Sequence, residues 1–310
     1  MAKQRSYAPV KPARSYEGQI ERLTQAHGLL VGDAQRARAI LSTVNYYRLT
    51  TYGKHLRRPD DPERFLPGVS LDTLYALYQF DMGLRHALLP VLEFFEVQLR
   101  AKIAYRLAMT YGSLGYMEAE NFRGDRQSQG WFKDMHNKFR TEVRRCDDLA
   151  FVRHHKTKYG GKFPVWAAVE LFSFGMLGQL YSIMREEDQR AVSGDYGMTP
   201  EALTALIGAA IDVRNICAHY NRLYNQAIEG QPLLCGEEKV YESDRVFPTL
   251  LALRRVCMRQ RLWQEMLDSI RRLCAEFPQA DLSLCGFPAD WDDILAQSKQ
   301  PHPPAGQDAF

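Results

Sequence analysis

The run LDTLYALYQFDMGLRHALLPVLEFFEVQLRAKIAYRLAMTYG, from Leu71 to Gly112, limits most strongly what this chain can become. Its apolar residues recur with helical period almost throughout, and Ser70 stands where a cap would open it. Pro90 lacks the N–H that an interior helical residue donates, so it should kink or split the helix. The same period returns elsewhere. Ser15 can cap a helix through YEGQIERLTQAHGLL, and Asp33 another through AQRARAILSTVNYY. RRPDDPERFLPG, with three prolines, reads as a loop, and a basic helical region follows from about Ser128 to Cys146. Gly160, Gly161 and Pro164 precede an apolar helix expected over residues 164–185. Thr199 caps the next helix, with Pro200 at its first position, where a missing N–H costs nothing. Residues 226–246 look like an irregular excursion or short hairpin, and TLLALRRVCMRQRLWQEMLDSIRRLC reads as one further helix. With no strand-rich region and no internal repeat, the expected class is all-α, with a helical bundle at its centre.

Composition narrows the function classes less than the distribution of charge does. The net charge of the 310 residues is only +3, so the chain as a whole is not a conspicuous polyanion binder. Residues 1–58, however, hold eleven Lys/Arg against three Asp/Glu, and residues 122–163 hold eleven against five. Either region could form the electrostatic footprint of a nucleic acid, or simply a solvated surface. The six cysteines include no C-x-x-C pair, which suits buried free thiols in a reducing cytoplasm better than a disulfide framework. The N-terminal MAKQRSYAPVKPARS has no apolar core of a secretory leader. FPVWAAVELFSFGMLGQLYSIM, residues 163–184, is long enough to span a bilayer, but its polar residues and charged flanks favour a buried core helix. Glu170 would then be a nearly solitary carboxylate in that helix and would need a partner.

The most polar helix end in the chain is RNICAHYNRLYN, Arg214 to Asn225. On a continuous helix at about 100° per residue, Asn215, His219, Arg222 and Gln226 fall on one face, whereas Arg214 projects roughly 140° from His219. The two could still serve one site if the helix breaks there. The residue types suit an anionic substrate: arginine offers a planar fork for phosphate, and histidine exchanges protons near neutral pH. RNA carries its own nucleophile, the ribose 2′-OH. A base and a cation could cleave it without metal, leaving a 2′,3′-cyclic phosphate and a 5′-OH. The leaving oxygen needs an acid, which a second copy across a two-fold axis could supply. An Arg and a His at a helix end can equally serve only to cap carbonyls and complement the dipole. No metal motif appears, since His154–His155 lacks partners at ligand spacing, and GGK at Gly160 to Lys162 is not a phosphate loop.

Taken whole, RNICAHYNRLYN resembles the signature of the Abi-like family of bacterial abortive-infection proteins, the AbiD/AbiF group. NYYRLTTYG at Asn45, LYQFDMGLRHALLPVLEFFEVQLRAKIAY and KYGGKFPVWAAVELFSFGMLGQLY are similar to that family's other motifs, so the likeness covers about residues 35–226. Through its Arg-x4-His element the family is similar to HEPN ribonucleases. The resemblance implies a HEPN-like helical core, phage defence in the cytoplasm by RNA cleavage, no catalytic metal or cofactor, and a homodimer. It also brings in a small structured RNA as a further partner. By the same likeness Arg214 and His219 are the candidate catalytic pair.

Around that pair, Asn215 is a candidate for orienting His219, and Arg222 for a second phosphate contact. Glu170 and Glu96 are candidate acids for fixing an arginine; Glu170 is preferred, because Glu96 has Arg100 four residues away. Arg85, Arg100 and Asn225 are candidate RNA contacts, with bundle-knitting or helix-end packing as their other reading. The expected organisation is a basic segment and first helix over 1–34, the core over 35–229, a helical extension over 230–297 and a disordered tail over 298–310. Two alternatives to a ribonuclease stand: an RNA-binding module that does not cut, and the HEPN partner of a nucleotidyltransferase in a toxin–antitoxin pair.

Overall fold

Side-chain caps set where the helices of this protein begin. The computed structural model describes Val10 and residues 12–297; the basic N-terminal residues before these and the tail expected to be disordered lie outside the described residues. Ser15 Oγ accepts from the Gly18 N–H and opens α1, Tyr16–Glu21, which runs on into a wider turn over Arg22–Ala26. Asp33 caps α2, Ala34–Thr43. That helix stops short of its expected end, because Asn45 accepts from the Tyr47 N–H and starts α3, Tyr46–Tyr52. Ser70 accepts from Thr73 N and leads into α4, Leu71–Tyr111. Of the kink or split expected at Pro90, the split does not occur, and α4 runs through it. Pro90 lies on a solvent-exposed face with His86, whose carbonyl would have received its N–H, so water can satisfy that acceptor.

Asp125 caps the basic α5, Arg126–Arg145, and α6, Ala150–Tyr159, ends at the left-handed Gly160. The apolar stretch expected to be one helix is broken into α7, Val165–Ala168, a 3-10 turn at Val169–Leu171, and α8, Phe174–Ile183. Phe172 turns extended, and Ser173 starts the new helix by accepting from Met176 N. α9 spans Glu186–Gly194, and α10 spans Pro200–Ala218 behind its Thr199 cap. Residues 226–246 contain a 3-10 helix at Gly236–Tyr241 and no hairpin. The segment beyond is two helices rather than one: α11, Phe247–Val256, and α12, Gln260–Glu276. α11 is buried almost all round, whereas α12 buries only the stripe Trp263, Met266, Leu267 and Ile270. A break lets each meet its own surroundings. α13, Trp291–Ala296, completes the elements, and no strand forms among the described residues.

The chain forms two compact units. The first holds the described residues up to Met82 and Glu276–Ala280. Its core gathers Leu23, Leu29, Ile40, Leu41, Leu49, Phe65 and Leu74, and inside it the Tyr52 hydroxyl donates to Asp81 at 2.6 Å. The second unit runs from Gly83, apart from Glu276–Ala280. The expected core of 35–229 therefore spans residues of both. In the second unit α4 buries Leu84, Leu88, Leu92, Leu99, Ile103 and Leu107 along one face. α8 packs against α5 and α10, and α10 also meets α9 and α11. Gly178 allows the close approach of α8 to α10: a Cβ there would stand 2.7 Å from Ile211 Cδ1. This contact fixes α10, whose C-terminal end carries the polar motif. None of the six cysteines forms a disulfide, but only Cys217 and Cys285 are buried, and Cys235 is exposed.

Candidate functional site

Arg214 lies on the last turns of α10 with Val213 and Cys217 of the same helix buried beside it. Its side chain reaches α4. Glu96 Oε2 accepts from Arg214 Nε at 3.0 Å and from Nη2 at 2.8 Å. The other oxygen of that carboxylate, Oε1, accepts from Arg100 Nη2 at 3.0 Å. One anion is thus held by two guanidinium groups, and all three side chains are mostly buried, at 12% exposure for Glu96, 14% for Arg100 and 22% for Arg214. The Phe174 ring, first residue of α8, lies 5.6 Å from the Arg214 guanidinium carbon. Asn215 Oδ1 accepts from Arg214 Nη1 at 3.3 Å. Three of the five guanidinium N–H groups are therefore engaged, which leaves one on Nη1 and one on Nη2. The cluster carries a net charge of +1.

Arg100 ties this cluster to the break in the apolar stretch. Its Nε donates to the Val169 carbonyl at 3.0 Å and its Nη2 to the Phe172 carbonyl at 3.2 Å. The Val169 carbonyl also accepts from the Phe172 N–H at 3.0 Å, so Arg100 adds a second donor at the 3-10 turn and caps the carbonyl that follows it. Arg100 is accordingly a bundle-knitting group, not a surface contact for RNA. The same break corrects the expectation for Glu170. It sits on the 3-10 turn, exposed, with no hydrogen bond or ion pair among the described residues, and Glu96 holds Arg214 in its place. The preference for Glu170 assumed one buried helix. The signal that it was two is Ser173 between Phe172 and Phe174, an N-cap residue inside an apolar run. Arg85 is 2% exposed on the buried face of α4, which removes it as a surface contact for a polynucleotide.

His219 is the C-cap of α10, and its N–H donates to the Asn215 carbonyl at 3.0 Å. The imidazole is exposed and has no hydrogen bond or ion pair among the described residues. Asn215 therefore does not orient it, because the Asn215 amide oxygen is turned to Arg214. The helix ends here through a pair of reversed bonds, Tyr220 N to Cys217 O at 3.3 Å and Asn221 N to Ile216 O at 2.9 Å. Tyr220 occupies the left-handed position at φ 57°, which usually belongs to glycine. Among the described residues the only other non-glycine at positive φ is Asn225, φ 51°, in the same motif. The face expected to join Asn215, His219, Arg222 and Gln226 is therefore interrupted after Ala218.

Beyond the turn, Arg222 Nη2 donates to Gln226 Oε1 at 3.0 Å, while its Nη1 is buried without a partner among the described residues. Asn225 is half-buried, and Tyr224 is buried with its hydroxyl accepting from Asp281 N at 3.0 Å. Burial pushes the Tyr224 phenol up to about 12. Among the described residues no three His, Cys, Asp or Glu side chains gather as a metal site would require, and no helix is long and apolar enough to cross a membrane.

The structure thus brings Arg214, Asn215, Glu96 and Arg100 together, sets His219 on the surface at the end of the same helix, and leaves Glu170 and Arg85 out of the cluster. Phe174 and the two carbonyls were not foreseen. Comparison with known proteins adds a family: the family model described as Abi-like protein matches residues 39–225. No curated protein and no solved structure matches the chain.

Proposed function

This chain belongs to the Abi-like protein family, and from that premise we propose that it restricts phage by cutting RNA inside the infected cell, with a HEPN-type site at the end of α10. The observation that carries this reading is the state of two groups five residues apart. Arg214 is held by Glu96 and Phe174 with two N–H groups to spare. His219 is exposed and unpartnered among the described residues. The first supplies a positioned charge for a phosphate that gains charge in the transition state. The second takes or gives a proton.

In the proposed step a ribose 2′-OH loses its proton to an imidazole and attacks the adjacent phosphorus. Arg214 stabilises the phosphorane, and the departing 5′ oxygen takes a proton from a second imidazole. The products are a 2′,3′-cyclic phosphate and a 5′-OH, and the balance needs no metal. Arg214 is turned inward to Glu96 whereas His219 faces solvent just past the last helical residue, so a shared phosphate is served best by a homodimer that places one copy's helix end against the other's. That arrangement also supplies the second imidazole.

A second reading is supported by how fully Arg214 is engaged. With three N–H groups committed and 22% of its side chain exposed, it could instead shape a surface that holds a small structured RNA without cutting it. Incubating pure wild-type and His219→Ala protein with cellular RNA in EDTA distinguishes the two. Cyclic-phosphate ends in the wild type alone support cleavage; RNA retention without new ends in either protein supports binding only. Ends produced equally by both reject His219 as the proton-transfer group. A nucleotidyltransferase partner remains a third arrangement, tested by whether such a gene lies beside this one.

A further inference from the structure

A cleft of about 480 Å³ in the second unit has the chemistry of a nucleobase site. Its lining includes His154, Tyr159, Lys162 and Trp166, with Ser113 and Pro164 at its edges. The volume is of the size that small-molecule and single-nucleotide sites occupy. Trp166 is 56% exposed and Tyr159 47%, so two large aromatic surfaces face solvent at a concavity instead of filling a core. The wall behind them is firmly held. The His155 ring stacks on Phe163 at 5.0 Å and 13°, Tyr116 donates to the Phe163 carbonyl at 2.9 Å, and Val165 N donates to the Ser113 carbonyl at 2.8 Å.

The one Lys or Arg in the cleft's lining is Lys162, and no carboxylate lines it. Residues 150–162 contain Arg153, Lys156, Lys158 and Lys162 and no carboxylate. Lys156 is paired with Asp147, whereas Lys162, in the lining itself, has no ion pair among the described residues. Aromatic faces beside a cation without an ion pair form the arrangement that holds unpaired bases and their phosphates. The cleft is also joined to the Arg214 cluster through one short element. Trp166 stands on α7, and the turn that follows α7 gives its Val169 and Phe172 carbonyls to Arg100, which holds Glu96.

We propose that this cleft binds an unpaired nucleotide of single-stranded RNA, with the base against Trp166 and Tyr159 and the phosphate near Lys162. The inference rests on the reading of the chain as an RNA-acting protein and adds where a strand is gripped away from the proposed reacting phosphate.

The test uses full-length His219→Ala protein, in EDTA, with a short mixed-sequence single-stranded RNA, its duplex, and inorganic polyphosphate as probes. The single strand should bind more tightly than the duplex, quench Trp166 fluorescence, and lose about 5- to 150-fold in affinity on Trp166→Ala, equivalent to ~1–3 kcal/mol for one stacked base. Trp166→Phe should keep most of the affinity while losing the quench. Lys162→Glu, with a far-ultraviolet spectrum unchanged from the parent, should weaken binding independently. Single-strand affinity unchanged in both Trp166→Ala and Lys162→Glu would overturn the proposal, as would polyphosphate binding as tightly as RNA. Cleavage by wild-type protein is scored separately, so a cleft without RNA and a helix end without activity give different results.

Discussion

Glu96 Oε2 receives two N–H groups from Arg214, 118 residues away in sequence, and so joins the long helix α4 to the end of α10. The same carboxylate holds Arg100, which in turn takes the carbonyls of a helix break. A single anion thus fixes the charged end of one helix and the interruption of a neighbouring segment. The arrangement explains how an arginine can be rigid and still have donors left for a phosphate.

Removing that anion should be costly. Glu96→Ala leaves two mostly buried guanidinium groups without their counter-charge, a change that costs ~3–5 kcal/mol for a fully buried pair. The residual exposure of Arg214 reduces this to about 2–3 kcal/mol. Urea unfolding should show the unfolding free energy fall by that amount, with the midpoint moving to lower urea. An unfolding free energy within about 0.5 kcal/mol of wild type would mean the cluster contributes little to the fold.

Arg214→Ala and His219→Ala should separate by stability while agreeing in activity. Both should abolish RNA cleavage. His219 is exposed, so its loss should leave thermal stability within about 0.5 kcal/mol. Arg214→Ala strips Glu96 of one partner and should destabilise by about 1–3 kcal/mol. Calorimetry beside the cleavage assay checks the pair, and equal stability losses in the two variants would contradict the different environments of these side chains.

Tyr220→Gly should raise the melting temperature. The left-handed position costs an L-residue ~1–2 kcal/mol that glycine does not incur, and Tyr220 is 66% exposed, so the backbone gain should exceed what the ring's own contacts contribute. A stabilised variant with diminished RNA cleavage would show that the turn's strained residue serves function. A lower melting temperature would show that the ring holds the turn.

Alkaline pH should unfold this protein. Burial pushes the Tyr181 and Tyr224 phenols up to about 12, and burial together with the bond to Asp188 does the same for Tyr111. Each group's folded value is raised above the ordinary 10.0, so its neutral form is favoured by the fold. The associated stability is fully present below pH 10 and disappears as pH rises from 10 through about 12. Tyrosinate absorbance and circular dichroism should therefore change together over that interval. Phenols that titrate near pH 10 with the fold intact would contradict their burial.

How much was legible follows the range of the interactions involved. The caps at Ser15, Asp33, Ser70 and Thr199 were readable because a cap is a bond across two or three residues. Pro90 misled, since its cost depends on whether the orphaned carbonyl meets water, and only the packed helix shows that face to be exposed. The apolar stretch beyond Pro164 misled for a related reason: hydrophobicity alone does not distinguish one buried helix from two. The two-unit division, inside α4, has no mark in the sequence.

The sequence by itself determined an all-helical chain, the position of most helix starts and the identity of the polar helix end, because periodicity and capping are local properties of neighbouring residues. Which carboxylate meets Arg214, which arginines are interior, and that the motif's face is interrupted at Tyr220 were decided only in the tertiary structure. Those outcomes depend on which surfaces lose water together, and on the nearest available partner for a charge once they have.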